Sequence, residues 1–234
     1  MDKDGGLPCR QGIFRYRFLY LLVFILMLIA IQPLDEAIGL FGIVLDLVIT
    51  AILVSAIYAI SQKRIHIVFG ILLAFPMLVS VWSSSFVEIL WLEIAGSLCG
   101  IVFFVFIIVT ILVFIFRQDE VSIDLIAGAA VVYLLMATMW AYAYRVIEMI
   151  SPGSFSFAQS QSAESHSPFL YYSYVTITTL GYGDIAPVST TAKSCAILEA
   201  VVGQLYLVIT VAWLVGAHIS QSMGRKSNRN RKRD

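Results

Sequence analysis

Charge is what this chain lacks. Only 13% of its 234 residues are charged and 60% are hydrophobic, whereas soluble domains are about 25% charged and about 45–50% apolar. That balance excludes a soluble domain and leaves an integral membrane protein. Cysteine is scarce as well. Cys9, Cys99 and Cys195 are the three in the chain, and no pair has the spacing of a disulfide framework or a metal site. Cys99 and Cys195 lie in or beside apolar segments and are expected to pack; Cys9 carries no expectation. No membrane-embedded nucleophile with a base, no metal-ligand cluster and no phosphate loop stands out, so no enzyme is expected.

What the chain has is apolar length. A helix needs about 20 apolar residues to cross a hydrocarbon core of about 30 Å. Six segments qualify as expected spans: Tyr16–Ile31, Ala37–Ile60, Ile65–Trp82, Phe86–Phe116, Val121–Ile147 and Val188–Ile219. The first could also pass for a secretory signal, with a basic start and an apolar middle. Charge placement argues for a retained helix. Arg10, Arg15 and Arg17 precede the first span, Lys63 and Arg64 follow the second, Arg117 follows the fourth and a basic tail follows the sixth. Six spans then put every basic group on one side, which is the cytoplasmic one. Both termini are expected there, in a multi-pass protein of the cell (plasma) membrane, with no stretch at either end long enough for a soluble domain. Tyr16, Tyr20, Trp82, Trp91, Trp140, Tyr142 and Tyr144 fall near expected span ends, where interfacial aromatic belts form.

Formal net charge is zero, yet Arg225, Lys226, Arg229, Arg231, Lys232 and Arg233 crowd the last ten residues. Beside a membrane helix such a tail reads as a cytoplasmic anchor that favours anionic lipid. Nucleic acid is not an expected partner.

Between the fifth and sixth spans the pattern breaks. A Ser-rich stretch, "SPGSFSFAQSQSAESHS", is followed by Ser167-Pro168, a good N-cap and a good first helical residue. Residues 168–178 are then expected to form a helix about 16 Å long, half a bilayer. Backbone that leaves helix at membrane depth must be buried in protein or line water, and "TLGYGD" is such backbone. Gly181 and Gly183 can take positive φ without a Cβ clash. Alternating left- and right-handed conformations would turn successive carbonyls toward one axis, where they could replace the hydration shell of a bare cation.

Thr178-Thr179-Leu180-Gly181-Tyr182-Gly183-Asp184 resembles the potassium-channel signature T-T-V-G-Y-G-D. "PGSF" after the fifth span and "LEAVVGQLYLVITVAWLVG" in the sixth are similar to the prokaryotic six-helix potassium channels with short termini. The resemblance runs from about Val121 to Gly216 and is mostly topological before Arg117. It implies an all-α membrane protein of six transmembrane helices plus a re-entrant pore helix (168–178) and a selectivity-filter loop (178–184), closed as a homotetramer because a filter takes four loops. The implied cargo is K+, with no organic cofactor. K+ sites would be built from the carbonyls of Thr179, Leu180, Gly181 and Tyr182 and the Thr179 hydroxyl, with Gly183 closing the row. Thr178, Asp184, Tyr171 and Tyr172 would support the filter. Tyr182 would point away from the pore and brace the filter, and a Tyr171 hydroxyl would bond Asp184. Leu180 replaces the common valine; its carbonyl, not its side chain, would face the ion. Where some members carry a glutamate that pairs with the filter aspartate, this chain has Val175.

The remaining domains follow from the same reading: a cytoplasmic N-terminus (1–15), a four-helix bundle (16–116) resembling a voltage sensor, a pore domain (117–219) with its inner helix at 188–219, and the basic tail (220–234). From Phe86 to Phe116 there is no lysine or arginine, so gating charges are missing and little intrinsic voltage dependence is expected. Asp46 and Glu93 are intramembrane acids with no basic partner expected in the spans. They read either as a proton- or cation-sensitive site, or as satisfied acids facing Thr50, Ser55 or Tyr58, or as the remnant of a sensor. Gating candidates are Gly203, at a hinge-glycine position by resemblance, Glu199 four residues before it on the same face, Gly216 and His218. Glu199 is expected to hydrogen-bond behind the pore helix. A nonselective cation channel and a non-conducting accessory membrane protein are the alternatives.

Overall fold

The computed structural model describes residues 16–31, 41–59, 64–84, 90–118, 121–157 and 167–231. In chain order the elements are helices α1 (Arg17–Ile31), α2 (Phe41–Ala59), α3 (Arg64–Ser84), α4 (Leu90–Phe116) and α5 (Ile123–Ile150), strand β1 (Phe155–Phe157), helix α6 (Ser167–Ile177), strand β2 (Ile185–Pro187) and helix α7 (Thr190–Arg231). In lipid a chain must satisfy its own N–H and C=O groups, and each of the six expected spans is met by a helix. Among the described residues, four stretches are long and apolar enough to cross a membrane: Ile65–Trp82, Leu90–Phe116, Ile123–Ile150 and Thr190–Met223. α1, with 15 residues, is about 22 Å long by helical rise and falls short of a full crossing. α7 continues past the expected end at Ile219 as far as Arg231. The N-terminal 15 residues, the Ser-rich stretch at 158–166 with His166, and the last three residues lie outside the described residues, as does the side chain of Asp46.

α5 is the central helix, in contact with α4, α1, α6 and α7. Its neighbours present apolar residues at helical spacing: Phe18, Leu21, Ile25 and Leu28 on α1, and Phe103, Phe104, Ile107, Ile111 and Ile115 on α4, all buried. α3 meets α4 most closely at Gly96, where a Cβ would overlap the Ser80 side chain; small residues let membrane helices approach this way. Pro76 lies inside α3 without ending it.

The two ends of the bundle are held by polar groups. Asp124, in the first turn of α5, accepts the backbone N–H of Phe18 at 3.0 Å and of Leu19 at 3.4 Å, so one helix supplies the anion for the free N-terminal donors of another. Arg17 lies over the Phe114 ring, 4.3 Å from its centroid. At the other end of α5, Arg145 donates to Glu93 of α4 at 2.8 Å.

This last contact corrects the reading of the charges. Glu93 does have a basic partner within the spans, and it lies in α5, not among Thr50, Ser55 and Tyr58. Arg145, near the C-terminal end of α5, and Lys193, in the first turn of α7, stand at the end of the molecule away from Arg117, so the basic groups are not all on one side. Tyr142 and Tyr144 also depart from the belt reading. They are 6% and 0% exposed and face the protein core, whereas Tyr16, Tyr20, Trp82 and Trp91 are exposed as belt residues are.

Candidate functional site

α6 spans 11 residues and ends at Ile177, within a residue of the expected bounds. Its last carbonyls are used as the chain turns. Thr178 N–H donates to Tyr174 O at 3.2 Å, Thr179 N–H to Thr176 O at 3.0 Å, and Leu180 N–H to Val175 O at 3.0 Å. Thr179 takes φ +62°, the one non-glycine residue with positive φ among those described. Gly181 follows at φ +58° and Gly183 at +76°, while Leu180 and Tyr182 between them do not share that region. The backbone therefore alternates in hand over five residues. A positive φ costs a β-branched threonine more than a glycine, so the conformation at Thr179 is held by the turn around it.

The loop is pinned at both ends. Asp184 Oδ2 accepts the Tyr171 hydroxyl at 2.7 Å and its Oδ1 accepts the Ile185 N–H at 3.0 Å. β2 then pairs antiparallel with β1, Phe155 opposite Pro187 and Phe157 opposite Ile185. The turn before β1 is set by Glu148, whose carboxylate accepts the N–H groups of Gly153 (2.7 Å) and Phe155 (3.1 Å). Ser154 O accepts the Val188 N–H at 2.7 Å. Thus "PGSF", read from sequence only as a family likeness, ties the end of α5 to the chain leaving the loop.

Two tyrosines and one serine seat α6 on α5, and a third tyrosine ties α7 to α5. Tyr133 donates to the carbonyl of Ile177, the last residue of α6, at 2.7 Å. Ser173 donates to Ala137 O at 2.6 Å, and Tyr174 meets Thr138 at 3.1 Å and Leu134 O at 3.2 Å. Tyr206 of α7 donates to Ala129 O of α5 at 2.7 Å. Tyr172, the other aromatic of the pair on α6, is buried in an aromatic cluster, its ring 5.0 Å from Tyr144 and 5.4 Å from Phe155. Glu199 stands behind α6 as expected and contacts Ser173 and Tyr144. Tyr133, Ala137 and Tyr144 share a spacing of roughly one helical turn or two, and that periodicity of small and hydroxyl-bearing residues in an apolar run was the available signal for them.

Gly203 is buried in unbroken helix, and a Cβ there would lie 2.5 Å from Ile177 Cγ1. Its small size brings α7 against the end of α6. Gly216 is exposed with open space around it, and His218 is exposed; nothing in the single chain brings them to the loop. Leu180 and Tyr182 are 58% and 68% exposed, so the Tyr182 ring is not packed into its own helix. A Cβ at Gly181 or Gly183 would meet nothing within 4 Å, and one face of the loop is open.

An apolar helix array of this length defines a multi-pass membrane protein. Residues 121–218, which hold α5, α6, the loop and most of α7, match the model of a protein family described as "Ion channel". The match points to a channel and not to an enzyme. Neither a curated protein nor a solved structure is similar enough to the chain to count as a match.

Proposed function

We propose that the chain is one subunit of a homotetrameric potassium-selective channel, similar to the prokaryotic six-helix type, in the cell membrane with both termini cytoplasmic. The observation that carries this reading is the alternation of hand at Thr179, Gly181 and Gly183 directly after a half-length helix. Such backbone turns successive carbonyls to one side, and carbonyl rings replace a K+ ion's water. K+ would sit against the carbonyls of Thr179, Leu180, Gly181 and Tyr182. The chain has one such loop, and a ring needs four, which cyclic symmetry supplies. The exposure of Leu180 and Tyr182 in a single copy is what neighbouring copies would cover.

The first four helices supply no ladder of gating charges. α4 contains no basic residue, and the nearby Arg145 is committed to Glu93. The channel is therefore weakly voltage dependent. The basic tail lies against anionic lipid of the inner leaflet.

Single-channel recording of the purified full-length chain in a planar bilayer tests this. With KCl facing NaCl, the reversal potential shifts toward the potassium equilibrium value, and in symmetric KCl without blocking ions the conductance changes little with voltage. A reversal near zero makes it a nonselective cation channel. Silence at all voltages makes it an accessory protein.

A further inference from the structure

Ser173 has one proton and two oxygen neighbours. Its Oγ lies 2.6 Å from the carbonyl oxygen of Ala137 and is in hydrogen-bond contact with Oε1 of Glu199. The other carboxyl oxygen, Oε2, is in contact with the Tyr144 hydroxyl. A carbonyl oxygen only accepts, so the contact with Ala137 uses the serine proton. The contact between Ser173 and Glu199 then needs a second proton, and the tyrosine proton already serves Oε2. The one group left to supply it is the carboxyl itself. If Glu199 were ionised, one of the two contacts at Ser173 would be oxygen against oxygen with no hydrogen between.

We propose that Glu199 is a neutral carboxylic acid whose own proton, donated to Ser173, ties α7 to α6 behind the loop. The functional half of this proposal rests on the reading of that loop as a potassium filter.

The surroundings agree with the proton count. Glu199, Ser173 and Tyr144 are each 0% exposed. Among the described residues, the titratable groups facing the cluster are Tyr133 and Tyr144 from α5, Tyr172 from α6 and Cys195 from α7. None of these is a cation. Arg145, the neighbour of Tyr144 in sequence, holds Glu93. An ionised carboxylate buried at membrane depth without a cation is strongly disfavoured, whereas a neutral acid has all three contacts satisfied.

The proton also has leverage. Ser173 sits four residues before Ile177, whose carbonyl is held by Tyr133 and against which Gly203 of α7 closes. Removing the proton leaves Ser173 between two acceptors and frees one of them, so the seat of α6 loosens on the alkaline side. Glu199 is thus a positioning residue: it touches no ion and acts through Ser173.

The test uses the full-length chain in liposomes, with two readouts. Infrared difference spectra of wild type show the carbonyl stretch of a protonated carboxyl; Glu199→Gln removes that band, and Tyr144→Phe moves it to higher frequency by taking one hydrogen bond from the C=O. In a potassium-flux assay, Glu199→Gln stays within about twofold of wild type at neutral pH, because the amide N–H can donate to Ser173 and the amide oxygen can accept from Tyr144. Wild-type flux falls reversibly on alkaline titration and the glutamine variant does not follow. Glu199→Ala, which leaves two buried hydroxyls without their partner, loses about tenfold in flux or in the yield of assembled protein. The proposal is overturned if no carboxylic-acid band responds to either Glu199→Gln or Tyr144→Phe, or if Glu199→Gln shows the same alkaline fall as wild type. The infrared result does not depend on conduction, so a wild type with the acid band but without preference for K+ over Na+ removes the filter reading and leaves the neutral acid standing.

Discussion

The two halves of the molecule are held together differently. In residues 16–116, helices meet through apolar faces, small residues and stacked rings, and the polar contacts sit at the ends. In residues 121–218, the short helix α6 is hung from α5 by tyrosine and serine hydroxyls that reach backbone carbonyls of another helix, and from α7 by the Glu199 carboxyl. Apolar packing tolerates exchange of side chains of similar volume. A hydroxyl aimed at one carbonyl fixes position to a fraction of an ångström. The difference teaches where precision is needed: the bundle has to be present, while the loop after α6 has to be placed. It also agrees with the family match, which covers the second half and not the first.

The largest break in this comparison is expected from Gly183→Ala. The methyl group meets no atom of its own chain, so within the chain the change acts through the φ of +76°. The cost is about 1–2 kcal/mol in each chain, enough to shift the loop toward another conformation. Selectivity for K+ over Na+, read as a reversal potential, is lost while assembly by size-exclusion chromatography is retained. An alanine variant that still selects K+ would show that the alternation of hand is not needed for the filter.

Second in its effect on conduction, though the largest in stability, is Arg145→Met, which leaves Glu93 without its cation. Removing one partner of a buried pair costs about 3–5 kcal/mol, and the partial exposure of Glu93, 16% for its side chain, puts the expectation near the lower end, at about 3 kcal/mol. Thermal unfolding in detergent reads it as a lowered midpoint, and Glu93→Gln added to Arg145→Met recovers most of the loss. This pair ties the bundle to the second half at the end of α5 opposite Asp124 and touches neither α6 nor the loop, so K+ selectivity stays as in wild type. A change in selectivity would erase the distinction between the halves.

Gly203→Ala is smaller. Its Cβ would lie 2.5 Å from Ile177 Cγ1, in a branched side chain with little room to yield, and overpacking of this kind costs about 1–3 kcal/mol. The companion change Ile177→Ala removes that Cγ1, so the two changes together cost less than the sum of each alone. If Gly203→Ala is neutral alone, close packing is not the reason for that glycine and a hinge becomes the better account.

The smallest effect belongs to Tyr171→Phe, which removes the 2.7 Å bond to Asp184 at a partly exposed position, about 1 kcal/mol. It shows as shorter open dwell times in single-channel records, with unchanged reversal potential.

Much of this was legible in the chain. Apolar length located every helix of the described spans, because a backbone in hydrocarbon has no alternative to internal hydrogen bonding. Ser167-Pro168 and the half-length run after it located α6. Thr178 to Asp184 announced the alternating loop, since glycine at every second position is a local requirement of that backbone. The Tyr171–Asp184 bond and the place of Glu199 behind α6 were also foreseen.

The Arg145–Glu93 pair and the inward faces of Tyr142 and Tyr144 are not legible in the sequence for one shared reason: a polar residue near a span end carries no mark of the face it occupies. Position along a helix is local information, but the choice between lipid, headgroup and protein interior depends on which other helix arrives there.

The sequence by itself determined that the protein crosses a membrane, that one helix is half the length of a crossing, and that the loop after it holds glycines where a left-handed backbone is needed; each of these follows from composition over a few neighbouring residues. Only the tertiary structure decided that Arg145 answers Glu93 across 52 residues, that Tyr144 answers Glu199 across 55, and that Ser173 stands between a carbonyl and a carboxyl. Pairings of that range are set by how helices pack, and in a chain this apolar many packings satisfy the same local pattern.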